Sequence, residues 1–221
     1  MRGHHIDNGH RESSLPAQTG VYDGWHSSMG LAMSTVLFYN GATQGEVPMS
    51  SNTRAKMVAG AADLMSRRGV NATSMRDVVR HTGTPRGSIG HHFPRGKQQL
   101  IEDALVFAGR QVSGPLKHLT DQHGAISGLR AFIALWRQTL EKSKFQAGCP
   151  VLAVAVEQYV NDATEKDGER DEAAQKRLLD LAEGVFADWQ AIMIAAMRRE
   201  GVTAARARRL AALVIASTEG T

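Results

Sequence analysis

Arg86, Ser88, His91 and His92 share one short stretch in which Ile89 and Phe93 are the apolar members. At helical spacing the four polar side chains turn outward while Ile89 and Phe93 turn in. An outward arginine on such a helix suits the major groove of duplex DNA, about 12 Å wide, where it can bond both acceptors of a guanine. His81, His91 and His92 could instead be taken for metal ligands, but adjacent histidines on a helix point about 100° apart, and no metal is expected there. His4, His5 and His10 read as solvated side chains. No spaced nucleophile, base and orienter, no phosphate-cradling glycine loop and no ligand cluster with metal spacing occurs. The expectation is therefore a protein without catalytic residues or cofactor.

The elements that must position these side chains can be read from both directions. Upstream, Met57, Ala61, Leu64 and Met65 fall on one helical face from about Ser51, with Arg54, Lys56, Arg67 and Arg68 elsewhere, and Gly69 ends the run. Ser74 followed by Asp77 is a capping-box-like start for a second helix to about His81. Gly83 breaks that helix. Thr84 can then accept the first free amide hydrogens of a third helix, from Pro85 to about His92, with Pro85 in the first helical position. Val78 and Val79 would pack inward with Ile89 and Phe93, under Leu64 and Met65. Short helix pairs with glycine turns also occur in many cores, and a basic face is often merely solvated.

Downstream the chain reads as helix after helix: about Lys97–His118, Ala125–Lys144, Cys149–Ala163, Asp171–Glu200 and Thr203 onward, with breaks at Gly114-Pro115, His123-Gly124, Gly148, Asp167-Gly168 and Gly201. Leu129, Phe132, Ile133, Trp136 and Leu140 form one apolar stripe, and Leu178, Leu181, Val185, Trp189, Ile192 and Ala196 another. Strand signals are absent, so the fold class is all-α. Residues 1–48 are rich in Gly, Ser, His and Asn without a sustained period and read as a disordered extension; organised sequence begins just after Met49. A secretory signal is the competing reading, but its apolar patch starts some thirty residues in, too deep for an ordinary signal peptide.

The 221 residues carry a net charge of +4, and the basic excess is concentrated. Between Arg54 and Arg110 stand ten lysines and arginines against Asp63, Asp77, Glu102 and Asp103, which points to a polyanion partner. The single cysteine, Cys149, permits no internal disulfide and fits a reducing compartment. No run reaches the roughly 18 apolar residues of a membrane span, so a soluble, cytoplasmic chain is expected.

The run Thr84-Pro85-Arg86-Gly87-Ser88-Ile89-Gly90-His91-His92-Phe93-Pro94-Arg95-Gly96-Lys97, together with Gly69 and Thr73-Ser74-Met75-Arg76-Asp77-Val78, resembles the recognition-helix signature of TetR-family transcriptional regulators. Gly148-Cys149-Pro150-Val151 and Leu213–Gly220 resemble pieces of the ligand-binding half in one branch of that family. The resemblance covers about residues 51–221. It implies a three-helix helix-turn-helix DNA-binding domain over 49–96, followed by a helical-bundle ligand-binding and dimerisation domain over 97–221. It makes Thr73 and Ser74 phosphate contacts at the start of the second helix, sets Arg86, Ser88 and His91 in the groove with Thr84, Gly87 and His92 beside them, and gives Lys97 a phosphate. The family's usual tyrosine is replaced here by Gly90, and Gly87 and Gly90 each cost about 1 kcal/mol of helix stability against alanine, so weaker or less specific DNA binding is expected.

The same resemblance implies a cavity for a small, mostly apolar effector, with Trp136, Cys149, Leu152 and Trp189 as its expected residues. At the start of a pocket helix the Cys149 thiol could have a lowered pKa and react with electrophiles; an inert buried thiol is the plainer reading. Family members repress transcription as homodimers on a double-stranded operator, release DNA when ligand binds, and dimerise through their last two helices. Here the chain is expected to lack the last of these. The alternative is a helical ligand- or partner-binding protein that has lost specific DNA binding.

Overall fold

The computed structural model describes residues 49–160 and 168–219, with side chains over 53–160 and 172–219. All belong to one contact unit, Ser34–Thr221. The expected extension over 1–48 and the last residues of the expected helix Cys149–Ala163 lie outside them. Among the described residues there are seven helices and no strand: α1 (Met49–Arg68), α2 (Met75–Thr82), α3 (Ser88–His92), α4 (Lys97–Lys142), α5 (Pro150–Val156), α6 (Gly168–Arg199) and α7 (Ala204–Glu219).

The expected apolar face of α1 is the buried one, with Met57, Val58, Ala61, Ala62, Leu64 and Met65 in the core. Gly69 closes the helix at φ 82°, its N–H donating to Met65 O at 3.0 Å, a left-handed cap that glycine adopts without a Cβ penalty. The capping box forms as read: Asp77 N donates to Ser74 Oγ at 3.2 Å, and the hydroxyl donates to Asp77 Oδ2 at 2.7 Å. Such a cap contributes about 1 kcal/mol to helix stability. Val78, Val79 and Phe93 are buried with Ile89 packed against the same core, which α1 and α2 share with the longer helices.

The third helix is shorter than expected. Its first α-helical residue is Ser88, and Pro85–Gly87 form a turn in which Ser88 N and Ser88 Oγ both bond Pro85 O, at 3.1 and 2.6 Å. Thr84 is not the cap; its hydroxyl lies 2.9 Å from that of Thr82.

Helix α4 passes straight through the expected break at Gly114-Pro115. An interior proline costs about 3 kcal/mol, but Leu116 and Leu119 just beyond it are 2% exposed, and each such buried leucine contributes about 1.5–3 kcal/mol, enough to hold the helix across it. The true interruption is at Gly124, where φ 81° and ψ 174° leave the helical region. There Glu200, just beyond α6, accepts the N–H of Ala125 on Oε1 at 2.6 Å and so caps the second half of α4.

Helix α6 packs along α4 at Gly109, where a Cβ would come within 2.8 Å of Val185 and where the Trp189 indole donates to Gly109 O at 3.2 Å. Helix α5 ends at Glu157, whose backbone turns extended and whose carboxylate accepts hydrogen bonds from the turn that follows α1. On α7, Ala207 and Ala211 face the core.

Candidate nucleic-acid interface and effector cavity

The outer surface of the α2–α3 pair carries Arg86, Gly87 and His91 exposed and Ser88 and His92 half-buried. This brings together the groove-facing residues expected from sequence. Arg76, exposed on the first turn of α2, joins them and was not foreseen; its only signal was membership of the basic cluster. Most neighbouring cations are engaged: Arg67 with Asp63, Arg68 and Arg80 with Asp77, Arg95 with Glu102, Arg54 with Asp103. Among the described residues neither Arg76 nor Arg86 is held by an ion pair. A cation not already neutralised is the kind that displaces counterions from a phosphate backbone.

Three expected contacts are turned inward. Thr73 is 1% exposed and donates its hydroxyl to Gly69 O at 2.8 Å. Thr84 is buried against Thr82. Lys97 is 5% exposed, its ammonium 3.4 Å from Asn71 O and 5.7 Å from the centre of the Tyr159 ring. A lysine that can bond a carbonyl and lie over an aromatic face has both charge and stem accommodated inside. Ser74 is half-buried with its hydroxyl in the capping box, where it holds the Asp77 carboxyl below the usual carboxylate range, assisted by Arg68 and Arg80. Gly90 faces open space, with nothing within 4 Å of where a Cβ would stand. His91 and His92 stack edge to face at 5.1 Å between ring centres, and no group of three potential metal ligands occurs among the described residues.

An apolar pocket of about 460 Å³, open solvent at its mouth included, lies between α4, α6, α7 and the cap of α5 at Cys149, walled by Phe132, Trp136, Trp189 and Met193. A second lobe of about 410 Å³ shares Trp136, Cys149 and Trp189 and reaches Ala62 of α1. Three of the four expected effector residues are therefore on the wall. Leu152 is not, since α5 presents Pro150 and Val151 instead, and the next position is turned about 100° away. Cys149 caps α5, its sulfur accepting Leu152 N at 3.4 Å. Burial, reinforced by the neighbouring Glu219 carboxylate, pushes its thiol well above the ordinary range, opposite to what a helix dipole alone would do. Thr218 and Glu219 of α7 also line the cavity. Sequence reading missed them; the one available signal was that Glu219 is the sole acidic residue of α7.

Helix α5 joins the two sites. Its start is the cavity wall at Cys149, and its end, Glu157, accepts the N–H groups of Val70 and Asn71 on Oε2 at 3.0 and 3.2 Å, in the turn between α1 and α2. Asn71 returns two bonds to the same segment, to Gln158 O at 2.6 Å and from Val160 N at 2.9 Å. Gly148 N, at the other end, donates to Ser66 O at 2.7 Å.

Residues 57–104 match the bacterial regulatory proteins of the tetR family, and residues 125–221 match the C-terminal domain of LmrA/YxaF-like transcriptional regulators. An uncharacterized HTH-type transcriptional regulator of Mycobacterium tuberculosis is 36% identical over 167 residues, 76% of this chain and 80% of the relative. The HTH-type transcriptional regulator LmrA of Bacillus subtilis is 22% identical over 173 residues, 76% of this chain and 84% of the relative. A TetR transcriptional regulator from Legionella pneumophila has the same fold, with a TM-score of 0.62 at 18% identity over 76% of this chain and 84% of that one. Fold and interface together define a helix-turn-helix regulator of transcription. The chain belongs to the TetR family. No helix among the described residues is long and apolar enough to cross a membrane.

Proposed function

We propose that the protein is a ligand-responsive transcriptional repressor of the cytoplasm, which binds an operator through α2 and α3 as a homodimer and is released when a small, mostly apolar effector fills the cavity. The observation that carries the reading is the α5 segment, seven residues long, with one end in the cavity wall and the other hydrogen-bonded to the turn that launches α2. Aromatic and aliphatic walls between helices are the usual lining of an effector pocket. Arg86 reads base edges, with Gly87, Ser88, His91 and His92 against the groove floor and walls, while Ser74 and Arg76 set the register on phosphate. A symmetric operator calls for two copies, and Leu210 and Leu213, 36% and 62% exposed on α7, offer apolar surface for the second.

The energies are adequate. An effector shifts the equilibrium only by its differential affinity for the two states, and a hundredfold loss of DNA affinity needs about 2.7 kcal/mol. Hydrogen bonds to a charged group contribute about 1.5–3 kcal/mol each, so breaking the Glu157 bonds to Val70 and Asn71 is on that scale.

The test is a titration of the full chain against its own upstream intergenic DNA and a scrambled duplex at two salt concentrations, with the oligomeric state measured in the same buffer. Selective, salt-sensitive binding by a dimer is expected. A monomer that binds neither duplex would overturn the reading in favour of a helical ligand-binding protein whose short α3, with glycines at 87 and 90, no longer grips DNA.

A further inference from the structure

We propose that the effector is a lipophilic organic cation, an amine or onium centre carrying aryl or alkyl groups, held with its charge at Glu219 and its apolar body against Phe132, Trp136 and Trp189. The inference rests on the cavity being the effector site.

The wall of the larger lobe is apolar except for Cys149, Thr218 and Glu219. Thr218 donates its hydroxyl to Val214 O within α7, and the Trp189 indole N–H is committed to Gly109 O. Each therefore faces a ligand with carbon surface or a π face rather than a free donor. The Cys149 thiol is the hydrogen-bonding partner of the Glu219 carboxyl, and a thiol is a weak donor that carries no charge. Among the described residues no lysine, arginine or histidine lines either lobe. Among them the carboxylate thus stands at an apolar wall without a compensating cation, and burial raises its affinity for a proton.

These features discriminate among ligand classes. An anion would meet a like charge and no basic side chain. A neutral apolar molecule would seal the carboxylate from water with only the uncharged Cys149 thiol beside it, which is a costly arrangement for a buried charge. A cation supplies the missing partner, and two indoles and a phenyl ring offer negative π faces to the same charge.

The experiment uses the full chain without DNA and two pairs of probes that differ in charge. Tetraphenylphosphonium is compared with triphenylphosphine oxide, and benzyltrimethylammonium with neopentylbenzene in case four rings overfill the space. Calorimetry should show the cation of at least one pair bound roughly tenfold or more tightly than its neutral partner, the loss expected when a buried charge lacks its mate. Glu219→Gln should remove that preference while its melting temperature stays level or rises, since the substitution withdraws an uncompensated charge. Equal binding within both pairs, no binding of either cation, or an undiminished preference in Glu219→Gln would each overturn the inference. Release of the operator is read separately. A cation that binds at Glu219 but leaves DNA binding untouched upholds the ligand class and overturns the repressor mechanism.

Discussion

Glu157 stands so close over Gly69 that a Cβ on the glycine would lie 1.9 Å from the Glu157 carboxylate. The positive φ of Gly69 lets α1 stop there, and the bare backbone lets the carboxylate drop onto the N–H groups of Val70 and Asn71. The end of α1 and the bonds that tie α5 to the α1–α2 turn are thus one device.

Glu157→Ala should unfold at lower denaturant, by about 1.5–3 kcal/mol, and should also weaken the link between effector and DNA. In a paired titration, the effector-free DNA affinity should fall and the further effector-induced drop should shrink. A full-sized drop would mean that the signal travels by another route. Gly69→Ala should be worse for stability, because it adds left-handed strain and displaces the carboxylate.

Arg86→Ala should cost about 1–3 kcal/mol on the cognate operator and relax one base position. Arg76→Ala should weaken all sequences alike and reduce the salt slope by about 1. If selection from a randomised operator library shows Arg86→Ala as discriminating as the parent, the arginine does not read a base.

For Lys97→Ala, the buried ammonium predicts lost stability with an unchanged salt slope. A shallower slope in the same titration would show instead that the side chain reaches a phosphate.

Gly90→Ala should stabilise the protein by about 0.4–1 kcal/mol, since the position has open space and no positive φ and alanine loses less chain entropy on folding. Thermal melting would show the gain, and a loss would mean that α3 needs its glycine.

Asp77 governs an acid limb of stability. Its folded pKa lies below the 3.8 of the free side chain, held there by Ser74 and by Arg68 and Arg80. The unfolded chain therefore binds the proton first, so the stabilisation is complete above about pH 4 and drains as pH falls through the folded value. Ser74→Ala should reduce this limb in an acid-denaturation series and cost about 1 kcal/mol at neutral pH.

The elements were largely legible in sequence because their signals are local. Ser74 with Asp77, the Met57–Met65 face, and the glycines at 69 and 124 each act within one or two turns of chain. Pro115 misled for the opposite reason: what holds α4 through it is the burial of Leu116 and Leu119, with Leu116 in the core shared with helices distant in sequence. The inward turn of Lys97 depends on Asn71 and Tyr159, and the place of Glu219 on Cys149, seventy residues away. Glu157 carried no local signal, since its partners are backbone amides 86 and 87 positions earlier.

From Lys97 to His123, α4 is an uninterrupted rod of 27 residues, about 40 Å at 1.5 Å per residue. Its pivot at Gly124 is pinned by Glu200, so a tilt of about 5° there would sweep the Lys97 end by roughly 3.5 Å on that length. That is about the rise of one base pair, near 3.4 Å. A change too small to notice in the packing around the cavity would be geared into a full step of mismatch along the double helix.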